Sequence, residues 1–205
     1  MSIWPTVGAE RRALADDLRN LTDEQWATPS MCDGWTVRDV LAHMTGTAKI
    51  TTAAFFPKLI GAGFSFDKLQ SKDMERERGA SPSETLANFT SIVGSTKHPP
   101  GPTVTWLGET IVHGEDIFRA LGDYREHPAD HLVAVADFYA GSNLLIGAKN
   151  RIAGLRLRAT DTTWSHGDGP EAAGPLVALV LAMTGRRRAA EDLTGDGAPV
   201  LLQRN

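Results

Sequence analysis

The stretch Leu107–Gly122, LGETIVHGEDIFRALG, decides the fold, because its pattern predicts a helix with polar groups on its buried side. At about 100° per residue, His113 lies about 40° from Glu109 around the helix axis, and Asp116 lies about −20° from it. Apolar residues, Trp106 among them, share this face. Buried carboxylates must be neutralised by pairing, protonation or a metal. The stretch therefore predicts a functional polar cluster inside a helical protein.

Length and charge limit the class of protein. A chain of 205 residues forms one large domain, or a main domain with a small appendix, and buries a real core. A net charge of −4 without a basic patch argues against nucleic acid as a partner. The first residues become charged too early for a signal peptide, and the longest apolar run is too short for a membrane span. We expect a cytoplasmic protein without a membrane partner, either a monomer or a homodimer.

The N-terminal third shows helical patterns. The range 7–21 has apolar residues at helical spacing and predicts an amphipathic helix. Thr36 and Asp39 form a capping-box pattern, which predicts the start of a long helix. His43 lies at the edge of that helix's apolar stripe, where it can face the interior of a bundle. The pattern continues over 50–60, with a kink predicted at Pro57.

The middle of the chain combines a predicted loop with two more helices. The range 61–79 mixes glycine, serine and charges, and predicts a loop over the bundle with a helical turn at 72–78, a candidate lid. Ser81, followed by proline and an acidic residue three positions on, begins a helix predicted to run to about residue 95. Gly122 ends the helix that contains His113, and a further helix is predicted over 128–145.

The tail has a different pattern. Apolar residues alternate with arginines over 155–159, which predicts a strand, and 163–166 is expected to pair with it or extend it. The run Leu176–Met183 predicts a buried helix, and a short helix and a turn follow. The predicted fold is mainly α, with a helical bundle over 1–150 and a small α+β module over 151–205.

Three motifs carry a resemblance to a known family. They are CDGWTVRDVLAH at 32–43, ETIVHGEDIFRALG at 109–122 and LVALVLAMTGRRRAAEDLTGDG at 176–197. Together they resemble the actinobacterial mycothiol-dependent maleylpyruvate isomerase family, whose members are DinB-like four-helix bundles with a small C-terminal module. The resemblance implies that fold for this chain, and mycothiol as a thiol cosubstrate.

The resemblance also implies site residues. The family binds a divalent metal, usually zinc, through a histidine at the end of the first motif and a Glu-x-x-x-His pair on a later helix. Here those positions are His43, Glu109 and His113. The family's C-terminal module brings an arginine toward the active site, and Arg186 matches it. We expect Arg186 to bind an anionic group of the thiol or of the second substrate.

The donor set agrees with this chemistry. Two imidazoles and one carboxylate with an open fourth position are typical of a catalytic zinc site, and the single Cys32 cannot build a structural one. A thiol entering the open position would bind as thiolate. Such a thiolate can add to a small electrophile and leave, which isomerises it, or it can remain as an S-conjugate. Two other hypotheses stay open: a metal-dependent hydrolase, and a non-catalytic protein that binds metal or ligand.

Each assignment has a structural alternative. Glu109 and His113 could form a buried hydrogen-bonded pair without a metal. We expect Asp116 to accept a hydrogen bond from a ligand imidazole and assign it, with Arg186, to the catalytic site. Cys32 is expected to pack. Trp35, which precedes the helix of His43, packs in the core or lines the pocket, and we assign it to cofactor binding.

Two further histidine motifs are weaker candidates. His127 and His131, with Asp130 nearby, form a rival metal motif, but a solvated helix cap is the favoured interpretation. The pair at 165–166 predicts a strand-end turn rather than part of a catalytic triad, because no nucleophile elbow surrounds it.

Overall fold

The computed structural model describes residues 2–144 and 146–204. By packing, the chain divides into two compact units, Met1–Arg125 and Glu126–Asn205. The predicted domain boundary near residue 150 stays a prediction. Within the described ranges, no helix is both long enough and apolar enough to cross a membrane.

The N-terminal unit is helical. Its helices are α1 Trp4–Asp17, α2 Asp23–Trp26, α3 Val37–Lys49, α4 Thr52–Gly61, α5 Phe66–Arg78, α6 Pro82–Thr90 and α7 Val104–Phe118. Single 3₁₀ turns extend α1 at Leu18–Asn20 and α7 at Arg119–Leu121.

Helices α1, α3, α6 and α7 form a four-helix bundle, in which α1 and α3 each pack against both α6 and α7. Their apolar stripes meet in a core of fully buried side chains that includes Leu14, Leu41, Phe89 and Ile117. The bundle predicted from helical periodicity is therefore present, and α7 is one of its four walls.

The predicted helix ends of the bundle are confirmed by their caps. Thr36 accepts from the backbone N–H of Asp39, while Asp39 Oδ2 accepts from the backbone N–H of Thr36 at 2.9 Å. Ser81 accepts from the N–H of Glu84 at 3.2 Å and begins α6. Gly122 ends the turn after α7 in a left-handed conformation with φ +76°.

The predicted continuation of α3 over 50–60 is wrong in one respect. Helix α3 ends at Lys49, and the backbone is extended at residues 50–51. Thr51 then caps a separate helix, α4, by accepting a hydrogen bond from the N–H of Ala54 at 3.1 Å. Pro57 lies inside α4. A threonine N-cap within an apolar run marks the start of a new helix, and hydrophobic periodicity alone does not detect it.

The predicted loop over 61–79 is also wrong, because most of it forms the helix α5. Ser65 caps this helix by accepting from the N–H of Lys68 at 3.3 Å. The charges that suggested a loop are buried in ion pairs: Asp73 Oδ1 lies 2.9 Å from Lys58 Nζ, and Glu77 Oε2 lies 2.5 Å from Lys49 Nζ. The segment is thus packed onto α3 and α4 and is not a loop lid.

The C-terminal unit contains helices around a small sheet. The predicted helix over 128–145 ends earlier, at Gly141, and its last predicted residue, Leu145, lies outside the described residues. The helices are α8 Ala129–Gly141, α9 Ala148–Arg151, α10 Leu176–Met183, α11 Arg187–Ala190 and α12 Gly197–Gln203, and the strands are β1 Arg156–Ala159, β2 Ser165–His166 and β3 Glu171–Gly174.

The sheet has the order β2-β1-β3. Strand β1 pairs antiparallel with β2, with Leu157 opposite His166, and parallel with β3, with Leu157 opposite Ala172. The predicted strand, its pairing with the following segment and the buried helix α10 are confirmed. Strand β3 was not predicted, because its alanine and glycine residues have low strand propensity.

Candidate metal centre

Two imidazoles meet between α3 and α7. The ring centroids of His43 and His113 lie 5.1 Å apart, with an interplanar angle of 81°. The capping box at Thr36 fixes where α3 begins, and His43 follows two helical turns later. The Trp35 ring, just before the helix, lies 4.9 Å from the His43 ring. Trp35 and His43 from one motif and His113 from another, far away in the sequence, are therefore neighbours in the structure.

Glu109 lies one helical turn before His113 on α7. Its Oε2 atom is buried and has no hydrogen-bond partner among the residues that the structure describes. Burial raises the pKa of Glu109, and the nearby His113, the Arg11 guanidinium and a hydrogen bond from Thr47 only partly oppose this. A buried carboxylate oxygen without a partner is costly, so it favours a proton or a cation at this position.

A second group of contacts orients His113. Its Nδ1 lies 2.9 Å from Asp116 Oδ2, and the Cys32 thiol donates to the same oxygen at 3.1 Å. The Asp116 side chain is only 1 % exposed. Since a carboxylate accepts, Nδ1 carries the proton, and Nε2 is left as the nitrogen with a lone pair for a metal. A carboxylate partner of this kind is the usual support of a ligating histidine.

The loop that carries Cys32 is held against α7. The backbone N–H of Met31 donates to the backbone carbonyl of Asp116 at 3.0 Å. Cys32 packs on the bundle core, as expected, and its Sγ also lies 3.8 Å from His113 Nδ1. Sequence reasoning missed this contact, because the two residues are far apart in the chain and no local pattern joins them.

Two overlapping sets of residues are candidates to hold a metal. The ligand atoms of Cys32, His113 and Asp116 all lie within 4.8 Å of one another, whereas those of His43, Glu109 and His113, all described residues, do not meet that spacing as a set. However, the close spacing of the first set follows from two hydrogen bonds to one Asp116 oxygen. Glu109 has no such explanation, so its unpartnered buried oxygen and the two neighbouring imidazoles fit a divalent metal.

A buried arginine beside this site was not predicted. Arg11 on α1 is 2 % exposed, and its Nη1 donates to the carbonyl of Ser95 at 3.0 Å. Its charge acts on Glu109. An arginine in the first helix has no sequence signal for burial, because most arginines are exposed.

The remaining predicted residues lie at varied positions. Arg186 precedes α11 in the C-terminal unit, where its Nη1 donates to the Thr184 carbonyl at 3.3 Å, and its role stays a prediction. Trp35 is half-buried and packs on the bundle core as well as beside His43. His127 and His131, within the described ranges, belong to no group that could hold a metal.

Comparison with solved structures establishes the class of fold. The chain is similar to the crystal structure of the mycothiol-dependent maleylpyruvate isomerase, with a TM-score of 0.62, 14 % identity, and coverage of 94 % of this chain and 91 % of that chain. A histidine-to-alanine mutant of that enzyme gives a TM-score of 0.63 at 12 % identity, with the same coverage. The expected fold, a DinB-like bundle with a small C-terminal α+β module, is confirmed.

Comparison of sequences finds a family model that is similar to the N-terminal part of the chain. Residues 7–100 match the family model described as Mycothiol maleylpyruvate isomerase N-terminal domain. The resemblance inferred from the motifs is thereby confirmed. Two relatives from Mycobacterium tuberculosis, the uncharacterized proteins Rv0036c and MT0041, are each 29 % identical over 197 residues, covering 78 % of this chain and 76 % of the relative.

Proposed function

We propose that this protein is a metal-dependent enzyme that uses a low-molecular-weight thiol, mycothiol in its native setting, to isomerise or conjugate a small electrophile. The observation that carries the proposal is the buried Oε2 atom of Glu109, which has no hydrogen-bond partner among the described residues, on the helix whose His113 ring lies 5.1 Å from the His43 ring. The similarity of residues 7–100, His43 among them, to the Mycothiol maleylpyruvate isomerase N-terminal domain supports it. A cytoplasmic location and zinc as the metal are parts of the same proposal.

The residues that would hold the metal are His43, Glu109 and His113. A divalent metal bound there would supply a positive charge that lowers the pKa of an incoming thiol, so that the thiolate is available at neutral pH. Within the protein, Asp116 holds His113 in one tautomer and orientation through the bond at Nδ1. Cys32 and the backbone of Met31 hold Asp116 and its helix in turn.

Two residues are assigned to the substrates. Trp35, whose ring lies 4.9 Å from the His43 ring, is assigned to cofactor binding, where it would shield a thiol cosubstrate from water. Arg186 is assigned to an anionic group of the thiol or the electrophile, since a guanidinium can bind a carboxylate through two parallel hydrogen bonds. The Arg186 assignment rests on the resemblance to the family, and the Trp35 assignment rests on its position just before the helix of His43.

The experiment is an assay of purified, zinc-loaded protein with mycothiol and a panel of small electrophiles, read by mass spectrometry for isomers and S-conjugates. The proposal requires thiol-dependent turnover. Full activity without added thiol would favour a hydrolase on the same scaffold. Metal binding without turnover of any electrophile would favour a non-catalytic binding protein.

Two variants test the roles. His113→Ala is expected to lose both metal and turnover. Arg186→Ala is expected to keep the metal and lose about 2–4 kcal/mol in kcat/KM, the cost of removing one partner of a buried charge pair. Equal kcat/KM of Arg186→Ala and wild type across the panel would remove the C-terminal arginine from the mechanism.

A further inference from the structure

The outer side of α4 and the turn after it expose three large apolar side chains. Phe56 and Ile60, one helical turn apart, are each 59 % exposed, and Phe64, four residues further on, is 72 % exposed. We call these three residues the α4 ridge. Single exposed apolar residues are ordinary, whereas a group of them on one element marks a surface that another molecule covers.

The exposed side of α4 carries no charge, and all residues of this helix are described. Its exposed residues are Thr52, Ala53, Phe56, Pro57, Ile60 and Gly61. The one charged residue of the helix, Lys58, is paired with α5, since its Nζ lies 2.9 Å from Asp73 Oδ1 and 3.0 Å from Asp73 Oδ2. A helix face in contact with water normally carries charged and polar residues. The composition of this face is therefore suited to contact with another apolar surface.

The turn that ends α4 holds Phe64 in an unfavourable backbone conformation. The N–H of Phe64 donates to the Leu59 carbonyl at 2.9 Å, and the N–H of Gly63 donates to the Ile60 carbonyl at 2.9 Å. These two bonds form a Schellman cap, in which the glycine takes a positive φ, here +68°. However, Phe64 also has a positive φ, of +61°, and it is the one non-glycine residue of the described chain that does.

The strain at Phe64 is not offset by burial within the chain. The residue that follows the glycine of a Schellman cap usually packs its apolar side chain against the last turn of the helix. Here most of the Phe64 ring faces solvent instead, although a bulky residue at positive φ is costly. A partner that covered the ring would offset this cost.

The α4 ridge stands on a packed base. Leu59 and Ala62 form a buried cluster with Leu69 of α5, and the ion pair between Lys58 and Asp73 joins the same two helices. The ridge is therefore held in one place before a partner binds, which lowers the entropic cost of association.

We propose that the α4 ridge is the contact between two copies of this chain in a reversible homodimer with a twofold axis. In such a contact each surface meets its own copy. Each chain has a net charge of −4, so an uncharged face lets two copies meet without opposing like charges. Antiparallel α4 helices place Ile60 nearest the axis and Phe56 of one copy beside Phe64 of the other. This contact does not depend on the proposed function.

The area of the ridge fits a weak dimer rather than a permanent one. A phenylalanine side chain presents about 150–250 Å², so the exposed parts of the ridge come to roughly 350 Å² per copy. Stable interfaces bury about 800 Å² per partner. The exposed Ala53, Pro57 and Gly61 lie one row over on the helix, where they let the two backbones approach and extend the contact. We expect a Kd on the order of 10 µM.

A lipid surface is the main rival as the occupant of this face. Helices that lie on membranes carry lysine and arginine along their polar side, and the exposed residues of α4 include neither. Flotation with vesicles of phosphatidylcholine and phosphatidylglycerol is therefore expected to leave the protein unbound. Vesicle binding by a chain that stays monomeric, lost in Phe64→Asp, would overturn the dimer.

The main test is sedimentation velocity of the full-length protein over a concentration range of about 1–300 µM. The sedimentation coefficient should rise from that of a monomer to that of a dimer. A monomer at every concentration would overturn the proposal.

Charge placed at the axis tests the twofold geometry. Ile60→Asp and Ile60→Lys should each weaken the dimer at least about tenfold, because like charges then face each other, and an equimolar mixture of the two should regain it. The matched control is Tyr124→Asp, which changes an aromatic residue outside α4 that is 70 % exposed and should alter the Kd less than about twofold. Undiminished dimers of both Ile60 variants, or a mixture that stays monomeric, would overturn the contact.

Phe64→Asn separates the contact from the stability of the fold. Asparagine adopts positive φ more readily than phenylalanine, so the monomer, measured at low concentration, should unfold at the same or a higher urea concentration. Loss of the ring should still weaken the dimer about tenfold. A less stable monomer would show that the ring packs on its own chain, and unchanged dimerisation would show that the ring faces no partner. Either result would overturn the proposal.

Discussion

At the scale of single residues, the candidate site contains one carboxylate with a buried oxygen that lacks a hydrogen-bond partner and another whose buried oxygen has two. Asp116 Oδ2 accepts one hydrogen bond from His113 and one from Cys32, so this buried oxygen has two partners. Glu109 Oε2 is buried without a hydrogen bond from any described residue. The two acids lie on the same face of α7, yet only Glu109 has a buried carboxylate oxygen without a hydrogen-bond partner among the described residues. This difference is the basis for proposing Glu109 as a metal ligand and Asp116 as the support of one.

Replacing Glu109 with glutamine should stabilise the metal-free protein and abolish its metal binding. Burial raises the pKa of Glu109, so the folded state holds this proton more tightly than the unfolded state does. The stability of the metal-free wild type therefore falls as the pH rises from the usual carboxyl pKa through the raised one. A glutamine side chain does not titrate, so the Glu109→Gln variant does not lose this stability as the pH rises.

The measurement is urea unfolding in a chelator at pH 5 and pH 8. The free energy of unfolding of Glu109→Gln should exceed that of wild type by more at pH 8 than at pH 5. An equal difference at both values, with metal affinity retained, would show that Glu109 is an ordinary satisfied acid.

Asp116→Asn should lower metal affinity about 10–100-fold without abolishing it, because the bond at Nδ1 sets the orientation and basicity of His113. Competition with a chelator of known affinity measures the change. Asp123→Asn, at an exposed position after α7, is the control and should leave the affinity unchanged. A metal affinity of Asp116→Asn equal to that of the control would exclude the supporting role.

At the scale of elements, helix starts determine where the site residues lie. The reciprocal hydrogen bonds of Thr36 and Asp39 set the first residue of α3 and hence the turn that carries His43. The cap of α6 at Ser81 fixes a neighbouring wall of the bundle in the same way. Position in a helix thus follows from local hydrogen bonds, and position in the bundle follows from the apolar stripe.

Thr36→Ala should cost about 1 kcal/mol in the free energy of unfolding, the usual loss for an N-cap threonine. Thr36→Ser keeps the acceptor and should recover most of it. Denaturant unfolding of the two variants and of Asp39→Ala gives a double-mutant cycle. Additive effects of Thr36→Ala and Asp39→Ala would contradict the reciprocal bonds, which require coupling.

The sequence predicted the elements whose signal is local. The caps at Thr36 and Ser81, the alternation around Leu157 and the apolar run of α10 all correspond to observed elements. Helix α5 was predicted as a loop because its charges are paired with Lys49 and Lys58 of other helices, which no local pattern reveals. For the same reason, the contacts of Cys32 and Arg11 at the candidate site were not predicted.

At the scale of the whole molecule, each unit holds charged side chains inside an apolar framework. In the N-terminal unit the candidate metal residues lie between α3 and α7 of the bundle. In the C-terminal unit Arg151 donates to the Met183 carbonyl at 2.7 Å, at the end of α10, a helix whose residues are nearly all buried. A rigid framework of this kind holds side chains in place for binding at little entropic cost.

Zinc should raise the free energy of unfolding of the wild-type protein by about 2.7 kcal/mol when its free concentration is 100 times its Kd, because only the folded state brings the ligands together. Chemical denaturation at fixed free zinc measures this. Calcium, which prefers six to eight oxygen ligands, should stabilise far less at the same concentration. Equal stabilisation by both ions would point to a nonspecific acidic surface.

The central claim is that the metal is held by His43, Glu109 and His113 rather than by Cys32, His113 and Asp116. Since both sets share His113, the direct test is the zinc content, by mass spectrometry, of His43→Ala and Cys32→Ala beside wild type. The account predicts one zinc per chain in wild type and in Cys32→Ala, and none in His43→Ala. Zinc retained in His43→Ala and lost from Cys32→Ala would contradict it.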